Sequence, residues 1–551
     1  MQTTGVFSSP QVRAPLAWAL FPWMIGYWLA EQLGGVQAIA LGWIGLATAF
    51  LAILAHRSQL WAFSFSVTSL CAGTLYYQVM EDARTLDEPW GSLPIREIEL
   101  VLEIERTFEK SDPYGRVSGV AEILEAPSIR EDLIGKRVSF LLKPKDAFSF
   151  TGQGSFVRAS GLLKPRTSQL SHGFSRFLDH VGVSYELGRG VIHETTKTAG
   201  GFSTFCTDLN HKMEAILRLG GKETLPLSDV GVAMMLGKKT SLSADQKERY
   251  VTAGVMHLFA ISGLHVGIVA ATMAFFLRWL PGPKWLEAAI GLMLLFVFVQ
   301  ATGGSPSATR AFIMIGFWWG ARIIGRSRSS FPAIAAAAFV TLLIEPRQLW
   351  DLGFQLSYFV VAAIILYGIP LGGRIQMAWQ PWMSIPPEDR SWLERLSAHA
   401  WRWFSTAFGV SFAATLASAP LVMDAFGVFS PGAILLNVFL VFIAGITIVL
   451  GFSSLVLGLL SLNYLSILFN HLHWALIWLM DGLVNLFLAV PGLFFRVDVF
   501  SSKMASFVAV STFLIFVLLV RRMPFASSWI CLLPIAPFLG FIFFGVGQTA
   551  P

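Results

Sequence analysis

Apolar residues gather along the chain in runs long enough to cross a bilayer, separated by short polar breaks. About 20 such residues cross the hydrocarbon core as a helix. By that ruler the runs are about 14–30, 36–55, 60–80, 252–278, 285–302, 307–324, 330–345, 349–369, 404–424, 432–460, 465–490, 504–520 and 527–547. The pattern predicts an α-helical polytopic membrane protein of about 13 spans. Run 330–345 is short, and 432–460 is long enough to contain a break.

Between the third and fourth runs the pattern changes. Arg96–Phe108, Gly115–Ile123, Lys136–Leu142 and Ser155–Gly161 roughly alternate apolar and polar residues, bounded by Gly or Pro. That is the strand signature, and a small OB-like β-barrel inserted after the third span is the expected fold. The predicted plan is a three-span segment (1–80), the barrel with a following pre-channel segment (81–225), and a transmembrane domain (226–551).

Composition agrees. Hydrophobic residues make up 54% of the 551 residues and charged residues 13%, against about 25% charged in soluble domains. A soluble enzyme, a disordered chain and a fibre are excluded. The net charge of +6 carries orientation rather than a partner. Arg13, Arg57, Arg278 with Lys284, Arg322 with Arg326 and Arg328, the stretch 371–402 and Arg521-Arg522 fall on one side of the predicted spans. The alternate loops Glu31–Gly35, Gly303–Ser305 and Phe426–Pro431 have no Lys or Arg. Basic loops stay in the cytoplasm, so the N-terminus is expected inside, the barrel and the C-terminus outside. Cys71, Cys206 and Cys531 suit neither a disulfide framework nor a Cys-rich metal site.

Candidate chemistry lies in two places. In the insert, Lys136, Arg137, Lys143, Lys145, Arg158, Lys164 and Arg166 face one acid, Asp146, with Phe140, Phe148, Phe150 and Phe156 interleaved. Cations that track phosphates and rings that stack on bases make a single-strand nucleic-acid groove. The plainer reading makes the Phe residues barrel core and the basic residues a solvated face. The first strand is acidic instead, with Glu97, Glu99, Glu103, Glu105 and Glu109.

In the spans, ionisable groups are costly and mark pathways or sites. The run Gly254–Gly267 holds His257, Ser262, Gly263 and His265. On an unbroken helix the histidines would point about 80° apart and sit about 12 Å apart, too far to share a metal. The Ser262-Gly263 pair permits close helix approach or a break. The choice is between a packing seam and a polar stripe lining an aqueous route. A Ser262–histidine hydrolase is rejected, because no acid orients the base and the Gly-x-Ser-x-Gly elbow is absent. Arg310, just inside its span after Gly303, Gly304 and Pro306, adds to a helix N-terminus and suits an anion; snorkelling to the interface is the alternative. Asp351, Gln355 and Ser357 enter another span, and Asp351 is placed to pair with Arg310. Asp424, Asn437, Asn470, His473 and Asp481 are lesser signals, with Asp481 the one most in need of a partner. No Walker A, glycine-rich nucleotide loop or HExxH occurs. No catalytic residue, metal site or cofactor is expected.

Taken together these residues resemble one family, the ComEC competence proteins, inner-membrane channels for DNA uptake in natural transformation. The run His257–Val266 is similar to the family signature, with Met235–Lys238 and Leu242-Ser243 as its lead-in. Ser305–Ala311, Asp351–Ser357 and Pro420–Asn437 resemble further family blocks; Gly173–Leu178 with Val181–Val183 resembles the pre-channel segment, and Gly115–Val120 an OB strand. The resemblance implies a channel passing single-stranded DNA inward and an OB-like domain outside the membrane. It also implies an extracytoplasmic DNA receptor, and a cytoplasmic ATPase or single-strand-binding proteins. The chain departs from many members in lacking the His-x-His-x-Asp-His run of their metallo-β-lactamase-like domain. Nuclease activity is therefore not carried over, and a separate nuclease becomes a further expected partner. The competing expectation is a secondary transporter for a small anion, with Arg310 facing its charge.

Overall fold

The computed structural model describes residues 15–33, 38–55, 60–85, 96–108, 115–145, 154–166, 178, 181–197, 201–221, 226–279, 281–324, 330–380, 382, 384–386, 388–520 and 530–548. Expectations placed on Arg13, Arg57, Glu109, Asp146, Phe148, Phe150, Gly173–Phe177, Arg326, Arg328, Arg521 and Arg522 lie outside these residues.

Three helices open the chain: α1 (Pro15–Leu33), α2 (Ala38–Leu54) and α3 (Leu60–Thr85). Five strands follow: β1 (Arg96–Phe108), β2 (Val117–Glu125), β3 (Arg137–Pro144), β4 (Phe156–Pro165) and β5 (Val183–Lys197). They close into a barrel in the order β1-β2-β3-β5-β4, with β3 and β5 parallel and the other pairs antiparallel. The period-two pattern of β1 dictates its seating. Ile98, Leu100, Leu102 and Ile104 are buried, while Glu97 and Glu99 are exposed and Glu103 and Glu105 half-buried on the other face. Phe140, Val138 and Leu142 of β3 join the same core, so Phe140 is interior packing and not a surface ring.

The helical body comprises α4 (Gly201–Leu217), α5 (Pro226–Leu236), α6 (Ala244–Thr252), α7 (Gly263–Leu277), α8 (Lys284–Ala301), α9 (Pro306–Ile323) and α10 (Ser330–Ile344). It continues with α11 (Leu352–Ala378), α12 (Trp392–Phe426), α13 (Ala433–Leu459), α14 (Asn463–Leu488), α15 (Ser502–Val520) and α16 (Ile535–Gly545). Among the described residues, six helices are long and apolar enough to cross a membrane: α8, α11, α12, α13, α14 and α15. The protein is therefore a multi-pass membrane protein. Run 432–460 is one unbroken helix, α13. Run 252–278 is not a single span, because its helix begins only at Gly263, and in run 527–547 the helix covers Ile535–Gly545. α2, α5, α7, α10 and α16 are apolar but shorter.

The N-terminal helices pack on this body. Arg347, just past α10, is ion-paired to Glu81 of α3 with its Nε 3.0 Å from the carboxylate. Tyr27 of α1 donates to the Leu342 carbonyl at 2.9 Å. A short sheet of β6 (Val428–Phe429), β7 (Phe495–Val499) and β8 (Val546–Gln548) ties together the ends of α12, α14 and α16.

Within lipid, helices associate through close packing of small residues. α11 and α12 meet in that way. A methyl group on Gly409 would stand 2.5 Å from the Gly368 carbonyl oxygen and 2.6 Å from the Gly372 nitrogen. Both are backbone atoms that cannot step aside. Gly368 closes the π-helical turn Ile364–Gly368 that interrupts α11. Gly409→Ala is expected to destabilise the protein by about 1–3 kcal/mol through overpacking; thermal unfolding of the purified chain in detergent, with Gly320→Ala at an open position as control, measures it.

Candidate channel site

The site begins where a helix fails. α6 stops at Thr252, and Gly254 at φ +70° turns the chain, a conformation glycine adopts without strain. A short 3₁₀ turn, Met256–Phe259, leads to an extended stretch through Ser262 before α7 starts. Broken backbone inside a membrane protein needs partners for its polar groups. The carbonyl of Ile261 receives two hydroxyls, Ser307 Oγ at 2.6 Å and Ser305 Oγ at 3.4 Å. Both come from the start of α9, so the two clusters seen in the sequence are one place in space.

His265 finishes the turn. Its Nδ1 lies 3.0 Å from Ser262 Oγ and 3.4 Å from the Ser262 backbone nitrogen. Facing two donors, Nδ1 is the acceptor, which leaves the proton on Nε2. That Nε2 is buried without a hydrogen bond of ordinary geometry among the described residues, with the Leu258 backbone lying near the ring, and the residue is 2% exposed. Gly263 lies against Ala311 of α9; a methyl group on this glycine would stand 3.8 Å from the alanine Cβ, ordinary contact distance. His257 is exposed and bonds back to the Gly254 carbonyl at 3.2 Å, near enough to act on His265 through space.

One turn along α9 from Ser307 sits Arg310, 3% exposed. It has not snorkelled. Nη2 donates to Ser357 Oγ at 3.1 Å, whereas Nε and Nη1 are buried without a partner among the described residues. The expected Asp351–Arg310 pair is not closed. Asp351 acts on Arg310 through space, but its carboxylate accepts the Gly353 N–H at 2.9 Å and caps α11. Gln355 donates to the Leu349 carbonyl at 3.0 Å, bracing that cap. A second cation approaches Asp351 from the barrel: burial lowers the Arg106 pKa, and the Asp351 charge works against that shift. Strand β1 gives no hint of this through-space interaction in the sequence, since Arg106 follows Glu105 in an ordinary alternation.

The site therefore offers buried donors in excess of acceptors. The space at the break is small: the cavity lined by Tyr250, Val255, Leu258, Phe259 and Leu440 holds about 10 Å³, room for about one water. The helices are packed shut here.

Of the lesser polar residues, Asp481, Asn470 and His473 bond within the fold, whereas Asn437 Oδ1 is buried without a hydrogen-bond partner among the described residues. Asp481 accepts from Tyr250 Oη at 3.0 Å and from Arg249 at 3.2 Å. Asn470 donates to the Ile216 and Leu219 carbonyls, and His473 Nδ1 lies 2.8 Å from the Thr447 carbonyl oxygen. On the barrel, much of the basic face is already engaged. Arg137 pairs with Glu105 at 2.9 Å, Lys164 with Glu186 at 2.7 Å, and Arg158 lies between Glu194 at 3.5 Å and Glu99 at 3.9 Å. Lys136 and Arg166 are engaged as well. Lys143 and Lys145, at the end of β3, are exposed and make no ion pair among the described residues.

A family model described as competence protein matches residues 234–524, which hold the break, α9 and α11. The chain belongs to the competence protein family. It is 33% identical over 144 residues to ComE operon protein 3 of Bacillus subtilis (strain 168), a stretch covering 26% of this chain and 19% of that protein. It is 27% identical over 150 residues to the uncharacterized protein YcaI of Escherichia coli (strain K12), covering 26% of this chain and 20% of that one. An uncharacterized protein of Aquifex aeolicus (strain VF5) is 27% identical over 142 residues, covering 25% of this chain and 33% of that protein. The chain thus spans a fifth to a third of the length of these relatives. No solved structure matches.

An unpaired cation buried in a protein costs several kcal/mol. Arg310→Met is expected to raise the unfolding midpoint in detergent, equivalent to about 1–4 kcal/mol. A lowered midpoint would show that the guanidinium is satisfied in the resting protein.

Proposed function

We propose that this protein is an inner-membrane channel that passes single-stranded DNA into the cytoplasm during natural transformation. The observation that carries the reading is Arg310: a cation 3% exposed, with two guanidinium nitrogens unpartnered among the described residues, at the start of a helix inside a competence-family segment. Together with the His265 Nε2 donor it supplies charge and hydrogen bonds to a passing anion. Stability favours neither group, and passing phosphates give both a role. Ser262, Gly263, Asp351, Gln355 and Ser357 then act as the frame that holds these donors. His257 stands at the exposed mouth of the break.

The barrel, read as an OB-type domain facing outward, is the capture element. Lys143 and Lys145 are its most accessible phosphate contacts; Arg137, Arg158 and Lys164 join only by releasing their glutamates. A receptor outside delivers DNA, a separate nuclease removes one strand, and a cytoplasmic ATPase or single-strand-binding proteins draw the other in. The packed break at α7 must open for a strand to pass, so translocation is coupled to separation of α7 from α9.

Uptake of labelled DNA into transformable cells tests this. Arg310→Met is expected to lower uptake at least tenfold with protein level unchanged. Normal uptake by this variant would remove the site, and undiminished uptake after deletion of residues 96–197 would remove the barrel's role. Loss of transport of a small organic anion, with DNA uptake intact, would favour the transporter reading.

A further inference from the structure

The end of the bundle farthest from the barrel carries a polar cavity that translocation does not explain. α11 has 27 residues, which sets about 40 Å between Asp351 and that end. α12 has 35 residues, about 52 Å against a hydrocarbon core of about 30 Å. Its first turns therefore stand clear of the core. The chain before it folds back along these turns and is pinned there. Arg390 donates to the Ile385 and Trp382 carbonyls at 3.0 and 2.9 Å, and Arg395 to the Arg390 and Glu388 carbonyls at 2.8 and 3.2 Å. These bonds frame a cavity of about 620 Å³.

Its lining is cationic and rich in donors. Arg395, His399, Trp401 and Arg402 come from α12, with Gln376 and Gln380 opposite. Arg402 is exposed and its guanidinium has no hydrogen-bond or ion-pair partner among the described residues. His399 uses Nδ1 on the Arg395 carbonyl at 2.7 Å, leaving Nε2 open. The Trp401 indole N–H is buried without a hydrogen-bond partner among the described residues. Among those residues Glu388 is the one acid in the lining. Around the mouth, Trp379, Trp392, Leu393 and Leu396 are 63%, 71%, 58% and 60% exposed. Exposed tryptophan beside basic residues at a helix end marks the membrane interface.

We propose that this cavity binds the headgroup of an anionic phospholipid, with its phosphate against Arg402 and the Trp401 N–H and its acyl chains along the apolar rim. The rim decides the occupant. A nucleic-acid phosphate needs the arginines but gains nothing from Trp392, Leu393 and Leu396, whereas a lipid covers both. The inference requires only that the chain spans a membrane, so it stands apart from the DNA-uptake reading.

The test is lipid retention. The full chain is reconstituted in nanodiscs of equal phosphatidylglycerol and phosphatidylcholine, extracted into mild detergent, and its bound lipids are quantified by mass spectrometry. Wild type is expected to retain phosphatidylglycerol preferentially. Arg402→Gln is expected to lower that preference about fivefold, whereas Arg278→Gln, which removes the same charge at the same end but outside the cavity, leaves it intact. Should Arg402→Gln fail to fold, Gln380→Glu on the exposed rim is expected to weaken retention by repulsion. Equal retention of both lipids by wild type, or unchanged preference in either cavity variant, overturns the proposal. Binding of a single-stranded oligonucleotide in phosphatidylcholine discs that Arg402→Gln abolishes overturns it too, and gives the cavity to nucleic acid.

Discussion

The carbonyl of Ile261 is the point on which the site depends. An extended segment between α6 and α7 leaves backbone groups that lipid cannot satisfy, and two serine hydroxyls from α9 close that gap. Those same hydroxyls fix where α9 begins, and its next turn puts Arg310 against α11. Asp351 caps α11 and thereby sets the position of Ser357. Break, cation and cap are one connected construction, and a shift in any of them moves the others.

Much of this was legible in the sequence, for identifiable reasons. The alternation in Ile98, Leu100, Leu102 and Ile104 announces a strand with one buried face, because the side-chain period is two. Ser262-Gly263 signals a weak point in a helix, and Gly303 to Pro306 a second one. That the two weak points meet is a tertiary fact, invisible to periodicity. Arg310 could be picked out as an ionisable residue at the start of a span, but its burial depends on α11 packing over it. Run length overstated the spans at 252–278 and 527–547: in the first, Gly254 and the Ser262–His265 bond redirect residues 252–262, so the helix starts only at Gly263. The cavity beside α12 escaped notice because its arginines read as an ordinary basic cytoplasmic loop.

The basic face of the barrel shows the limit of reading charge from a strand. Counting residues 136–166 gives a patch; folding the barrel brings β1 and β5 beside it, and their glutamates pair with Arg137, Arg158 and Lys164. Each exposed pair adds about 0–1 kcal/mol, so the pairing matters less for stability than for what the surface offers a polyanion.

That pairing has a thermodynamic consequence. A strand that binds free lysines gains entropy by releasing its own condensed counterions. A strand that must evict a tethered glutamate exchanges one carboxylate for one phosphate, and the evicted group stays within a few ångströms as a competitor. On the proposed reading, such a surface binds a strand loosely and lets it go quickly. The barrel then acts less as a clamp than as a bearing, across which the polymer slides with little to hold it back.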